Sequence, residues 1–179
     1  IAENCMLRGA HVTLVNASVS VEPPMFVDVV NVTSAADMAE VVKSKAAEQD
    51  IIIMTAAVAD FCPAHPADEK IKKKDSLDEP VIELERTEDI LSYLGAHKAK
   101  GQLICGFSME TQNMLENSKA KLAKKNADMI VANNLRVAGA GFGTDTNVVT
   151  LITADDCTEL EIMDKSCVAS RIMDRLLQM

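Results

Sequence analysis

Ile51-Ile52-Ile53-Met54-Thr55 is followed along the chain by Leu103-Ile104-Cys105-Gly106 and by Met129-Ile130-Val131-Ala132. None of these runs alternates apolar with polar residues, so each reads as a strand buried on both faces. Such strands belong to a parallel sheet covered by helices. The stretches between them are amphipathic, and Ala35–Ala47, Glu88–Leu94, Asn113–Lys124 and Ser166–Leu177 read as helices. Ser34 followed by Asp37 has the form of a capping box before the first of these. Further strands are expected at Val12–Val15, Val27–Val32, Val81–Leu84, Val148–Ile152 and Leu160–Met163. The alternation predicts an α/β fold with a mostly parallel sheet, in which 148–152 and 160–163 form a late antiparallel hairpin. The opening IAENCMLRGAHVTLV reads as the end of a helix, stopped at Gly9, then a strand. A domain rarely begins in mid-helix, so a preceding segment is expected.

At 179 residues the chain is the size of one domain with a sizeable core, and 48% hydrophobic against 25% charged residues excludes a disordered chain. No apolar run approaches the ~20 residues of a membrane span, and no secretory signal is visible. Lys and Arg number 18 against 27 Asp and Glu, a net charge of −9, which argues against wholesale binding to a nucleic-acid backbone. An aromatic content of 3% leaves no stacking platform for single strands either. The five cysteines lack CxxC spacing and the three histidines lack metal spacing, so reduced thiols and a cytoplasmic location are expected.

Residues 60–80 break the alternation. They hold Pro63, Pro66 and Pro80, the run Lys70-Ile71-Lys72-Lys73-Lys74 and little apolar content. A long core-poor stretch just after a strand's carboxyl end, where α/β sheets bind ligands, is expected to be a mobile lid. Its lysines are one candidate anion site, against the bland reading of a solvated charged tip. A second is Lys119, Lys121, Lys124 and Lys125 near a helix end, with Asn126 as its C-cap. Lys121 and Lys125, four apart, share a face. They either complement the helix dipole or grip a triphosphate. The third, Gly139-Ala140-Gly141-Phe142-Gly143, lacks both GxGxxG spacing and the Lys-Ser/Thr pair of a phosphate loop, and reads as a plain loop.

Ala56-Ala57-Val58-Ala59-Asp60-Phe61, with Pro63 and then Lys70-Ile71-Lys72-Lys73, resembles the signature of bacterial phosphopantothenate–cysteine ligases. Glu88-Asp89-Ile90-Leu91, Gly106-Phe107-Ser108-Met109-Glu110-Thr111, Lys121 to Asn126, Asp128 to Asn133 and Phe142 to Asn147 match in the family's order, over nearly the whole chain. The departures are an absent N-terminal strand and Asn-bearing segment, Asn134 where aspartate is common, and Glu88 where proline is common. A chain without that segment is not expected to be fully active.

The resemblance implies a three-layer Rossmann-like fold and CTP-dependent joining of 4′-phosphopantothenate to L-cysteine through an acyl-cytidylate, with Mg²⁺. It places Asp60, Lys70, Thr87, Glu88, Asp89, Ile90, Phe107, Lys121 and Lys125 around the nucleotide, with Lys70 catalytic and carried by the lid. Asp60 would meet either ribose hydroxyls or the metal, whose protein ligands stay open. Backbone N–H groups of 87–90 would read a base edge or an anion. Ala56 and Ala57 would let the backbone approach the pantothenate substrate. A homodimer with sites at its interface is implied, as is fusion to a flavin-dependent decarboxylase. The competing reading is a non-catalytic dimerisation module of such a fusion. A nicotinamide-dependent dehydrogenase is disfavoured because the glycine fingerprint is missing.

Overall fold

The computed structural model describes residues 1–17, 21–67, 69–70, 81–109, 114–134 and 143–179. The centre is a sheet in the order β10 (Cys157–Glu159), β9 (Val149–Ile152), β7 (Met129–Asn133), β6 (Leu103–Met109) and β3 (Ile51–Met54). β3, β6 and β7 run parallel, and β9 and β10 are antiparallel additions. β1 (Thr13–Ala17) and β2 (Asp28–Val32) make a separate parallel pair. Two short antiparallel ribbons complete the strands: β4 (Phe61–Pro63) with β5 (Leu84–Arg86), and β8 (Thr146–Asn147) with β11 (Met163–Asp164).

Successive strand residues point to opposite faces, and two helical layers take one face each. Ile104, Ile130, Ala132 and Ile152 pack under α2 (Ala35–Ala46), α3 (Ile90–Ala96) and α4 (Met114–Lys124), through Met38, Val42, Leu91, Leu94 and Leu122. Cys105, Met129, Val131, Val149 and Leu151 pack under α5 (Lys165–Leu176), and Ile1 and Cys5 at α1 (Ala2–Leu7) join that layer. Burial pushes the Cys105 thiol well above the usual range, which marks it as a core group.

Local chemistry sets the element ends. Ser34 and Asp37 form the expected reciprocal capping box of α2. Gly9 stops α1 at φ 87°, and Asn126 follows α4 at φ 48°. The buried side chain of Gln102 donates to the carbonyls of Ala46 (2.7 Å) and Gln49 (2.6 Å), satisfying the C-terminal end of α2. Asp128 accepts from the Ile104 N–H and from Lys98, both at 2.7 Å, which ties the start of β7 to β6.

Three expectations need correction. Ile51–Met54 is half-buried, because β3 is the last strand of its sheet and one edge is open. The strand paired with β9 in the late hairpin is Cys157–Glu159, whereas Met163–Asp164 turns away to pair with β8. The strand expected at Val81–Leu84 lies at Leu84–Arg86, and it pairs with a short strand inside the stretch 60–80, Phe61–Pro63, with Pro63 at the ribbon's end, where a missing N–H is tolerated. Residues 68 and 71–80 lie outside the described set, as do 139–142 of the glycine-rich run.

The sheet is divided where the strand order turns. Among the described residues β1 and β3 each have one unpaired edge, and a cavity of about 160 Å³ lies between Leu14 and Val15 on one side and Ile52, Ile53 and Met54 on the other, with Met38 and Val42 along it.

α3 and α4 meet closely at Gly95. A Cβ there would stand 1.7 Å from the Lys125 carbonyl oxygen, and the Asn126 side chain donates to the Gly95 carbonyl at 2.8 Å. Gly95→Ala must push the two helices apart and should cost more than about 2 kcal/mol in urea unfolding. An unchanged midpoint would show that this contact is not a constraint.

Candidate functional site

The carboxyl ends of parallel β3 and β6 open on one side of the sheet, where α/β proteins place their ligands. β3 leads into Ala56 and Ala57, both exposed, and on to Asp60. A second segment is fastened to this one. The Thr87 N–H donates to the Asp60 carbonyl at 3.1 Å, and its hydroxyl donates to the Ala59 carbonyl. That clasp brings 87–90, the entry to α3, against the loop after β3.

Asp89 is the N-cap of α3 and accepts from the Ser92 N–H at 3.0 Å. It also forms an ion pair with Lys125, whose ammonium donates to the Ser92 hydroxyl at 2.9 Å. Partial burial works against the charge of Asp89, but hydrogen bonds from Lys125 and Ser92 outweigh it and hold the carboxyl below its usual range. Lys125 starts beside Gly95 and ends beside Asp89, so its stem runs back along α3 towards the carboxyl end of the sheet. One turn earlier, Lys121 donates to the Phe107 carbonyl at 2.9 Å, at the end of β6. Beneath it, the buried hydroxyls of Ser108 and Ser118 are hydrogen-bonded at 2.8 Å, fixing α4 on β6.

Lys121 and Lys125 therefore do share a face and reach the same side of the sheet. Neither is a bare cation, yet an ammonium has three donors. Among the described residues Lys121 uses one of them and Lys125 two. Lys124, on another face, is exposed.

Other expected residues are placed differently. Glu88 is turned to α2, where Lys43 donates to its two carboxylate oxygens at 2.7 and 3.0 Å. The Ile90 side chain is 3% exposed and belongs to the core, so only its backbone could face a ligand. Phe107 packs partly into the α5 layer. Lys70 is exposed, with no hydrogen-bond or ion-pair partner among the described residues. Ser92, Gly95 and Lys43 were not legible as site residues. The one local signal was the spacing of Asp89 and Ser92, which fits an N-cap.

Among the described residues no three His, Cys, Asp or Glu side chains converge to hold a metal ion. No helix there is long and apolar enough to cross a membrane.

The family described as "DNA/pantothenate metabolism flavoprotein C-terminal domain" matches residues 1–179. The chain is 44% identical over 178 residues to the coenzyme A biosynthesis bifunctional protein CoaBC of Bacillus subtilis, covering 98% of this chain and 43% of that protein. It thus spans less than half the length of that relative. The crystal structure of the C-terminal domain of a CoaBC protein superposes with a TM-score of 0.81 at 39% identity, over 98% of this chain and 77% of that one. A Cab2 mutant in complex with phosphopantothenate-cysteine shares the fold at 17% identity and a TM-score of 0.63, over 86% of this chain and 54% of that one. With a family match over its full length and a fold in agreement, this chain belongs to the DNA/pantothenate metabolism flavoprotein C-terminal domain family.

Proposed function

We propose that this chain is the ligase part of a coenzyme A biosynthesis protein and joins 4′-phosphopantothenate to L-cysteine at the expense of CTP. The observation that carries the reading is the convergence of Lys121, Lys125, the Phe107 carbonyl, Asp89 and the Thr87–Asp60 clasp at the carboxyl ends of β3 and β6. The first step would bring a carboxylate to the α-phosphorus of a triphosphate, releasing pyrophosphate and leaving an acyl-cytidylate. Attack by an anion on a polyanion needs fixed positive charge, which the two α4 ammonium groups supply from held positions. In the second step the cysteine amine would displace CMP, so no thiol of the chain is required as nucleophile. Among the described residues no three acidic side chains gather, and in this reading the ion would come held by phosphate oxygens. Asp60 is free to meet either ribose or ion.

The exposed Phe61 and Leu84 of the β4–β5 ribbon support a homodimer, since an isolated two-stranded ribbon is marginal in water. The relative's description as bifunctional supports fusion to a second enzyme, for which a decarboxylase is our reading.

The divided sheet supports an upstream strand. Right-handed crossovers through α2, α3 and α4 all advance in one direction and lie on one face. α1 lies on the opposite face, so a strand leading into it would stand on the β3 side of β1, in the open slot. A longer form of the protein, extended upstream of Ile1, should slow amide exchange in both β1 and β3. Equal exchange in the two forms would remove the proposal.

The nucleotide site is tested by CTP and CMP dissociation constants for Lys121→Gln, Lys125→Gln and Lys124→Gln. Removing the phosphate-binding ammonium of Lys121 or of Lys125 should weaken CTP about tenfold to hundredfold. CMP, without β and γ charges, should suffer less, and Lys124→Gln should be near neutral. Lys125→Gln also strips Asp89 of its partner and should lower stability by about 1–3 kcal/mol, so the CTP-to-CMP ratio is the diagnostic quantity. Equal losses for both nucleotides would refute the assignment.

Lys70→Gln should slow acyl-cytidylate formation at least tenfold in a form carrying the upstream segment. Its melting temperature should stay unchanged, because an exposed side chain without partners contributes little stability. Pyrophosphate release at the normal rate would exclude Lys70 from the chemistry.

A further inference from the structure

Glu88 and Asp89 put two adjacent carboxylates at the entry to α3, beside the proposed triphosphate site of a chain whose net charge is already −9. Asp89 is cancelled from α4 by Lys125. Glu88 is cancelled from the opposite flank, by a residue of a helix that contributes nothing else to the site. Lys43 of α2 reaches across to it with Nζ 2.7 Å from one carboxylate oxygen and 3.0 Å from the other. The same ammonium lies 5.1 Å from the centre of the Tyr93 ring, which is stacked on His97 at 4.1 Å. One α3 aromatic thus attracts the same ammonium that spans both oxygens of Glu88.

The pair is poorly explained as a stabilising device. Its side chains keep 32% and 43% of their exposure, and exposed ion pairs contribute little to folding. Its position beside a polyanion site gives it a different use. An uncompensated carboxylate at the α3 entry would repel each phosphate charge, and that penalty grows with the number of phosphates. We propose that Lys43 is a charge-compensating positioning residue of the nucleotide site. It holds the Glu88 carboxylate against α2 and cancels its charge, so that the entry to α3 admits a triphosphate. The inference rests on the nucleotide reading above and adds to it a residue outside the α4 cluster.

The test is calorimetric titration of CTP with Mg²⁺, and of CMP, into the protein and three variants. Lys43→Met should weaken CTP about three- to tenfold and CMP less than about twofold. Lys43→Arg should retain CTP affinity. Lys43→Met combined with Glu88→Gln should return CTP affinity to within about twofold of the starting protein, because the carboxylate that needed compensation is gone. That recovery separates charge compensation from a loosened α2–α3 contact, which the second substitution would not repair. Unchanged CTP affinity in Lys43→Met, equal losses for CTP and CMP, or no recovery in the double variant would each overturn the proposal while wild-type binding upholds the nucleotide site. If the unaltered protein binds no CTP at millimolar concentration, the nucleotide reading itself fails and the role of Lys43 falls with it.

Discussion

The contact between the Gly95 backbone and the last turn of α4 sets the spacing on which the site depends. The Lys125 carbonyl occupies the space a side chain at 95 would need, and the Asn126 amide closes the same junction by donating to the Gly95 carbonyl. With the two helices that close, the Lys125 stem lies along α3 and its ammonium arrives at Ser92 and Asp89. A wider spacing would leave that ammonium in solvent, and the N-cap of α3 would lose its ion-pair partner. Packing at one end of α3 therefore determines electrostatics at the other.

If an acidic chain binds a polyanion, as we propose here, it must arrange its charges locally, since its overall field is repulsive. Here every carboxylate of the α3 entry has a lysine from a neighbouring helix, Asp89 from α4 and Glu88 from α2. Lys121 is held by a backbone carbonyl, which orients it without cancelling its charge. The balance leaves directed N–H donors near the ends of β3 and β6 and pairs both carboxylates of the α3 entry with a cation. Pre-orientation of this kind lowers the ordering cost at binding.

The split between β1 and β3 lies beside the same side of the sheet. Apolar residues of both strands are half-buried along it, and among the described residues the facing edges are unpaired. The loop carrying Ala56 and Ala57 leaves β3 at the border of this slot. A strand pairing there would join the two parts of the sheet and fix the start of that loop.

Hydrophobic periodicity and capping chemistry were enough to read an α/β fold, helices at 35–47, 113–124 and 166–177 that end within a residue of the observed ones, the Ser34–Asp37 box and the Asn126 terminus, because these depend on residues within a few positions of one another. Motif spacing likewise put Lys121 and Lys125 on one face. Pairing was not legible to the same degree: the continuous apolar run at 51–54 looks the same whether its edge is covered or open, and Cys157–Glu159, short and polar, has no pattern that announces it as the partner of β9. Nor could any local pattern couple Lys43 to Glu88, Lys125 to Asp89 or Thr87 to Ala59, since these contacts span 28 to 45 positions. Residue order alone dictates which positions carry charge and which turn of which helix presents them. Which of those charges meet is settled by packing, because helix-to-helix spacing is set by the smallest side chains at the contact, and at Gly95 that is none at all.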